Sequence, residues 1–142
     1  MMAEFYSDSP YRLNPRRATD AFRSLLADER LGHVWIIQAG SQDVGYVVVT
    51  YCFGMTYGGL SAVVDDFFIR PAFRGMGLGK EAISDLRSYC TNNGICSMQV
   101  ETGCDNGPAL AVYREAGFLG TGHVHLSLIL AADPLALSPS FG

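Results

Sequence analysis

With 142 residues the chain is long enough for one domain that buries a core without disulfides or a structural metal, and no apolar run approaches the ~20 residues of a bilayer span. Its composition is 49% hydrophobic and 17% charged, with a net charge of -4 and no basic cluster beyond Arg16-Arg17, which argues against nucleic acid or a membrane as the partner. The four cysteines form no C-x-x-C pair and the three histidines no ligand spacing, which speaks against a zinc site or a disulfide scaffold. No metal is expected, and without a basic-then-apolar leader a cytoplasmic setting is.

In chain order, residues 2–6 are too short to classify and residues 7–16 carry two prolines in a loop. Residues 15–30 place Ala18, Ala21, Phe22, Leu25 and Leu26 at helical spacing behind a first-turn proline. Residues 34–39 and 44–51, dense in β-branched and aromatic side chains, flank Gly40-Ser41-Gln42-Asp43 and predict a β-hairpin. Gly58-Gly59 precedes a third strand over residues 60–69, interrupted by Asp65 and Asp66 and ended by Pro71.

Helical spacing returns over residues 78–89 through Leu78, Ala82, Ile83, Leu86 and Tyr89, with Asn92-Asn93-Gly94 as the stop. Residues 95–101 alternate as a strand, so a parallel pair joined by a right-handed crossover is expected. Asn106 is a fit N-cap for a helix over residues 108–116, with Gly117 after it. Residues 118–130 predict one long strand or a cramped hairpin. The whole is one domain, with residues 1–14 and 131–142 expected to be loosely held.

The order strand, glycine-rich turn, helix carries the chemistry. Arg74, Gly75, Met76, Gly77, Leu78 and Gly79 bring backbone N–H groups and the positive end of a helix dipole to one point, which suits a phosphate. Arg74 and Lys80 flank the turn and can add charge-assisted bonds. A phosphate-binding ATPase loop requires four residues between its glycines and Ser or Thr after the Lys; here the spacing is shorter and Glu81 follows Lys80. The dinucleotide spacing G-x-G-x-x-G is also missed.

Two stretches resemble one family. Asp65-Asp66-Phe67-Phe68-Ile69-Arg70-Pro71-Ala72-Phe73-Arg74-Gly75-Met76-Gly77-Leu78-Gly79 is similar to the cofactor motif of the GCN5-related N-acetyltransferases, a strand followed by Pro and [RQ]-G-x-G-x-[GA]. Asn106 through Phe118 is similar to that family's N-x-x-A-x-x-x-Y-x-x-x-G-F signature. The resemblance implies an α/β fold: a mostly antiparallel mixed sheet, a central parallel strand pair that splays apart, and flanking helices.

It further implies acetyl-CoA as acyl donor. Its pantetheine arm would pair with backbone around Phe67, Phe68 and Ile69, its pyrophosphate would sit on the turn, Asn106 would reach the pantetheine, and Tyr113 would lie near the thioester sulfur. The implied reaction is acetyl transfer to a primary amine of a small molecule or peptide by direct attack.

Such a reaction needs a neutral amine, a stabilised oxyanion and a proton for the thiolate. Asp65, Asp66 and Glu101 are the candidate bases. Strand alternation turns Asp65 and Asp66 to opposite faces, with Asp65 narrowly favoured. Tyr113 is the candidate acid. Cys104 lies near the cleft, but no histidine is placed to activate it. Compared with the family, a first strand is missing and the C-terminal region is short; both lie at sheet edges, so a homodimer is expected. The alternative function is a non-catalytic acyl-CoA-binding or sensor domain.

Overall fold

In the computed structural model, which describes residues 1–7, 14–128 and 130, a four-stranded sheet carries helices on both faces. The elements run α1 (Met2–Ser7), α2 (Pro15–Ala27), β1 (Gly32–Ala39), β2 (Gln42–Gly54), β3 (Gly59–Ile69), a 3-10 turn (Pro71–Phe73), α3 (Leu78–Asn92), β4 (Ser97–Val100) and α4 (Gly107–Glu115). No helix of the described residues is long and apolar enough to cross a membrane.

Strand order is β1-β2-β3-β4. β1 pairs antiparallel with β2 through the Gly40-Ser41 turn, β2 antiparallel with β3, and β3 parallel with β4 across the α3 crossover. The expected mixed sheet with a parallel pair is therefore present, but the pair is not central: among the described residues β4 is the edge strand, because no further strand pairs with its outer side. Val47, Val49, Ala62, Val64, Leu86 and Cys90 form the core between the sheet and α3. On the opposite face Tyr46, Val48 and Phe68 are covered by Met1, Met2, Phe5, Phe22 and Leu25.

Helix ends follow local chemistry. The Asn14 side chain accepts from Arg17 N–H at 3.1 Å and starts α2 with Pro15 in its first turn. The same device starts α4, where Asn106 Oδ1 accepts from Ala109 N–H at 3.3 Å. α2 stops at Ala27, short of residue 30, because the Asp28 carboxylate draws Arg30 N–H and its guanidinium into a turn.

Two sequence expectations need correction. Residues 1–7 are not loosely held: α1 docks on the sheet, with the Phe5 ring 5.9 Å from that of Phe68 and 6.3 Å from that of Tyr46. Burying an aromatic pair fixes a helix too short to be stable alone. Of residues 118–130, expected as a strand or hairpin, residues 118–128 belong to no strand, because among the described residues no backbone pairs with them to complete a ladder. The expectations for residues 8–13 and 131–142 lie outside the described residues.

Candidate active site

The site is built where the sheet comes apart. β3 and β4 pair only from Ser61↔Ser97 to Val64↔Val100. β3 then runs on to Ile69, so on the β4 side its backbone from residue 65 to residue 69 has no strand partner among the described residues. A bulge sets in at the same point: Val48 faces Asp66 and Val49 faces Val64, which leaves Asp65 as the extra residue.

The bulge decides the fates of the two aspartates. Asp66 turns toward α1 and is buried, its carboxylate accepting from Tyr6 Oη at 3.1 Å and from Tyr46 Oη at 3.2 Å. Burial raises its pKa most, the neighbouring Asp65 charge adds to that, and the two hydroxyl donors pull the other way without cancelling the rise. Asp65 remains exposed at the surface, and its pKa is raised by desolvation first and by the Glu101 charge second. Glu101 follows directly after β4, with His125 Nδ1 3.9 Å from its Oε2.

Below the splayed edge lies the glycine turn. Gly75 and Gly77 have φ of +76° and +85°, the left-handed region that favours glycine, and a Cβ on either would meet nothing within 4 Å. The backbone there faces open space. Gly77 caps α3 without any side-chain bond, so the first amides of the helix, which have no intrahelical acceptor, keep no internal competitor for an anion. These features fit a pyrophosphate held by main chain and helix dipole.

The flanking cations are both engaged. Arg74 Nε donates to the Ile69 carbonyl at 2.8 Å and its guanidinium stands 5.8 Å from the Phe68 ring centre, tying the turn to the end of β3. Lys80 Nζ pairs with Glu115 Oε1 at 2.7 Å, linking α3 to α4 at the surface. Met76 is exposed on the outside of the turn, and Leu78 opens the helix.

α4 closes the far wall. Tyr113 is buried, with its ring 6.3 Å from Phe67 and 5.5 Å from Phe118. Desolvation pushes its hydroxyl up to about 12, so it stays protonated at neutral pH. A Cβ on Gly79 would lie 3.6 Å from Ile69 Cδ1, 3.7 Å from Phe67 Cζ and 3.9 Å from Val112 Cγ1, so this glycine sits where β3, α3 and α4 converge. Phe67, Ile69, Gly79 and Tyr113 are thus brought together, whereas the Phe68 side chain points into the opposite core and Asn106 uses its side-chain oxygen on the α4 cap.

Sequence reasoning missed Tyr6 and Tyr46 as partners of Asp66, and Glu115 as partner of Lys80. Cys52, Cys96 and Cys104 are exposed free thiols and Cys90 is a buried one. Among the described residues no group of three His, Cys, Asp or Glu side chains is placed to hold a metal.

A family model described as the acetyltransferase (GNAT) family matches residues 1–118. The chain belongs to this family. A solved integron cassette protein, HFX_CASS3, from the mobile metagenome of Cole Harbour Salt Marsh shares 40% identity at a TM-score of 0.82, covering 96% of this chain and 84% of its own. A possible acetyltransferase from Clostridium difficile 630 superposes at 0.76 with 17% identity, over 92% of this chain and 90% of that one.

The aminoglycoside acetyltransferase AAC(6')-Iy, solved with a bisubstrate analogue of CoA and an acetylated neamine, superposes at 0.74 with 17% identity, over 92% and 88%. The last two share the fold. No curated protein sequence matches this chain.

Proposed function

We propose that this GNAT-family chain transfers the acetyl group of acetyl-CoA to a primary amine by direct attack. One observation carries the reading: the part of β3 beyond Val64 that has no partner on the β4 side among the described residues meets the uncapped first turn of α3 at Gly79 and the ring of the buried Tyr113 through Phe67. The α3 amides and the glycine turn would hold the pyrophosphate, and the open β3 edge would receive the pantetheine.

Asp65 takes the proton of the attacking ammonium. A carboxylate whose pKa is raised is a stronger base at neutral pH than an ordinary one, and Asp65, though exposed at the surface, is raised by partial desolvation beside the protein and then by the Glu101 charge. The two adjacent negative charges also draw a cationic amine to the mouth of the splay. The acceptor class that fits is a small-molecule or peptide amine carried as an ammonium.

Tyr113 serves the leaving group. Its hydroxyl, at about 12, is a weaker acid than a free thiol at ~8.5, so complete proton transfer to the thiolate is uphill. Hydrogen-bond donation to the developing thiolate is therefore its larger contribution. Direct attack needs no covalent enzyme intermediate, and the exposed Cys104 has no histidine bonded to it among the described residues.

Thiol release from acetyl-CoA, measured across a panel of polyamines, aminoglycosides, peptides and lysine analogues, tests the proposal. The expected result is release with at least one amine, lowered in Asp65→Asn and in Tyr113→Phe. Acetyl-CoA binding without release for any amine would contradict transfer and favour a sensor domain.

A further inference from the structure

A cavity of about 230 Å³ lies between α3 and the β1 end of the sheet, and it shares only Leu78 with the residues of the candidate active site. It is smaller than the ~300–1,000 Å³ of a drug-sized site, so its occupant must be compact. Its α3 wall is Leu78, Glu81, Ala82, Asp85, Leu86 and Tyr89, the spacing of one helix face. An amphipathic helix fills such a face with apolar residues. Here two carboxylates stand on it, one turn apart. Like charges so placed repel each other, and among the described residues neither is paired with a cation.

The facing wall is aromatic. Trp35 of β1 meets Tyr89 with the ring centres 5.1 Å apart and the planes at 72°, so the two rings form a corner of the cavity. His33 packs against both, at 5.5 Å and 5.7 Å, and holds that corner in place. Aromatic faces carry negative electrostatic potential, and together with the two carboxylates they favour a positive charge that brings apolar surface with it. Anions are repelled. A hard metal ion would need six or more oxygen ligands, which a wall containing Ile37 and Val47 does not supply.

We propose that this cavity binds a small alkylammonium ion, with its cationic head against the Trp35 and Tyr89 rings and beside Glu81 and Asp85, and its alkyl part over Ile37 and Val47. The bound charge relieves the repulsion between the two carboxylates, which the free chain leaves uncompensated. The site is independent of acetyl transfer, and it is tested without acetyl-CoA.

Trp35 is the single tryptophan of the chain, so its fluorescence reports on this cavity directly. Choline is the probe, because its quaternary nitrogen cannot accept an acetyl group; 3,3-dimethylbutanol has nearly the same shape without the charge. Choline is expected to change the Trp35 emission saturably in the millimolar range, with the neutral isostere about tenfold weaker or more. Glu81→Gln/Asp85→Asn, two exposed positions, should melt no lower than wild type and bind choline about tenfold less tightly, with the isostere unaffected. Added salt should weaken choline binding in the wild type more than in the double variant. No change in emission up to tens of millimolar choline would overturn the proposal. So would equal binding of choline and its isostere, or undiminished choline affinity in the double variant.

Discussion

The ring of Tyr113 lies 6.3 Å from that of Phe67, across the line where β3 and β4 part. This contact joins the helix that carries the proposed donor to the strand whose backbone would receive the acyl donor. Phe118 holds the other side of the Tyr113 ring at 5.5 Å, so the packing survives loss of the hydroxyl. Tyr113→Phe is expected to lower kcat about ten- to a hundredfold, toward the lower end for a proton donor because thiolate leaves readily. Acetyl-CoA affinity and the melting temperature should change little, as steady-state kinetics and thermal melts would report.

Gly77 and Gly79 separate conformation from space. Gly77 holds φ +85°. An alanine there is expected to cost about 1–2 kcal/mol and to weaken acetyl-CoA binding. At Gly79 a methyl group meets its neighbours at 3.6 Å or more, ordinary contact distances, so Gly79→Ala should melt within a few degrees of wild type. Denaturation curves of the two variants check the contrast, and equal destabilisation would contradict it.

The Lys80–Glu115 pair is at the surface, with side chains 57% and 59% exposed. Such pairs contribute about 0–1 kcal/mol, so Glu115→Gln should barely alter stability. It removes the partner that neutralises Lys80 beside the glycine turn. Tighter acetyl-CoA binding in Glu115→Gln, measured by titration at low salt, is the expected outcome, with the gain fading as salt is added.

Asp66 links stability to pH. Its pKa is raised on folding, chiefly by burial, so the folded chain binds its proton more strongly than the unfolded chain does. Its contribution is therefore greatest below the ordinary carboxylate range and is lost as pH rises through the raised folded value. Asp66→Asn removes that dependence while leaving an amide oxygen for a tyrosine hydroxyl. Melts over a pH series should show the difference between wild type and variant shifting in the variant's favour as pH rises; a constant difference would contradict this assignment.

Local chemistry made much of this legible in the sequence. The Gly75 to Gly79 spacing, the Asn106 cap and the period-two and helical patterns all act within a few residues, and they placed the turn, α3, α4 and the parallel pair. What stayed hidden depends on distant partners. Tyr6 meets Asp66 across sixty residues, which is why α1 could not be classified alone. Glu115 claims Lys80 from another helix.

The bulge at Asp65 reflects a register mismatch between two strands, which a single strand's pattern does not contain. Residues 118–128 err the other way: their alternation is real, but a strand also requires a neighbouring edge.

Calorimetric titration of the purified chain with acetyl-CoA tests the central claim most directly, because every proposed role depends on the turn and the splayed edge holding that molecule. The account predicts saturable binding at one site per chain, a raised melting temperature in its presence, and weakened binding in Gly77→Ala. No binding heat and no thermal shift at millimolar acetyl-CoA would contradict it.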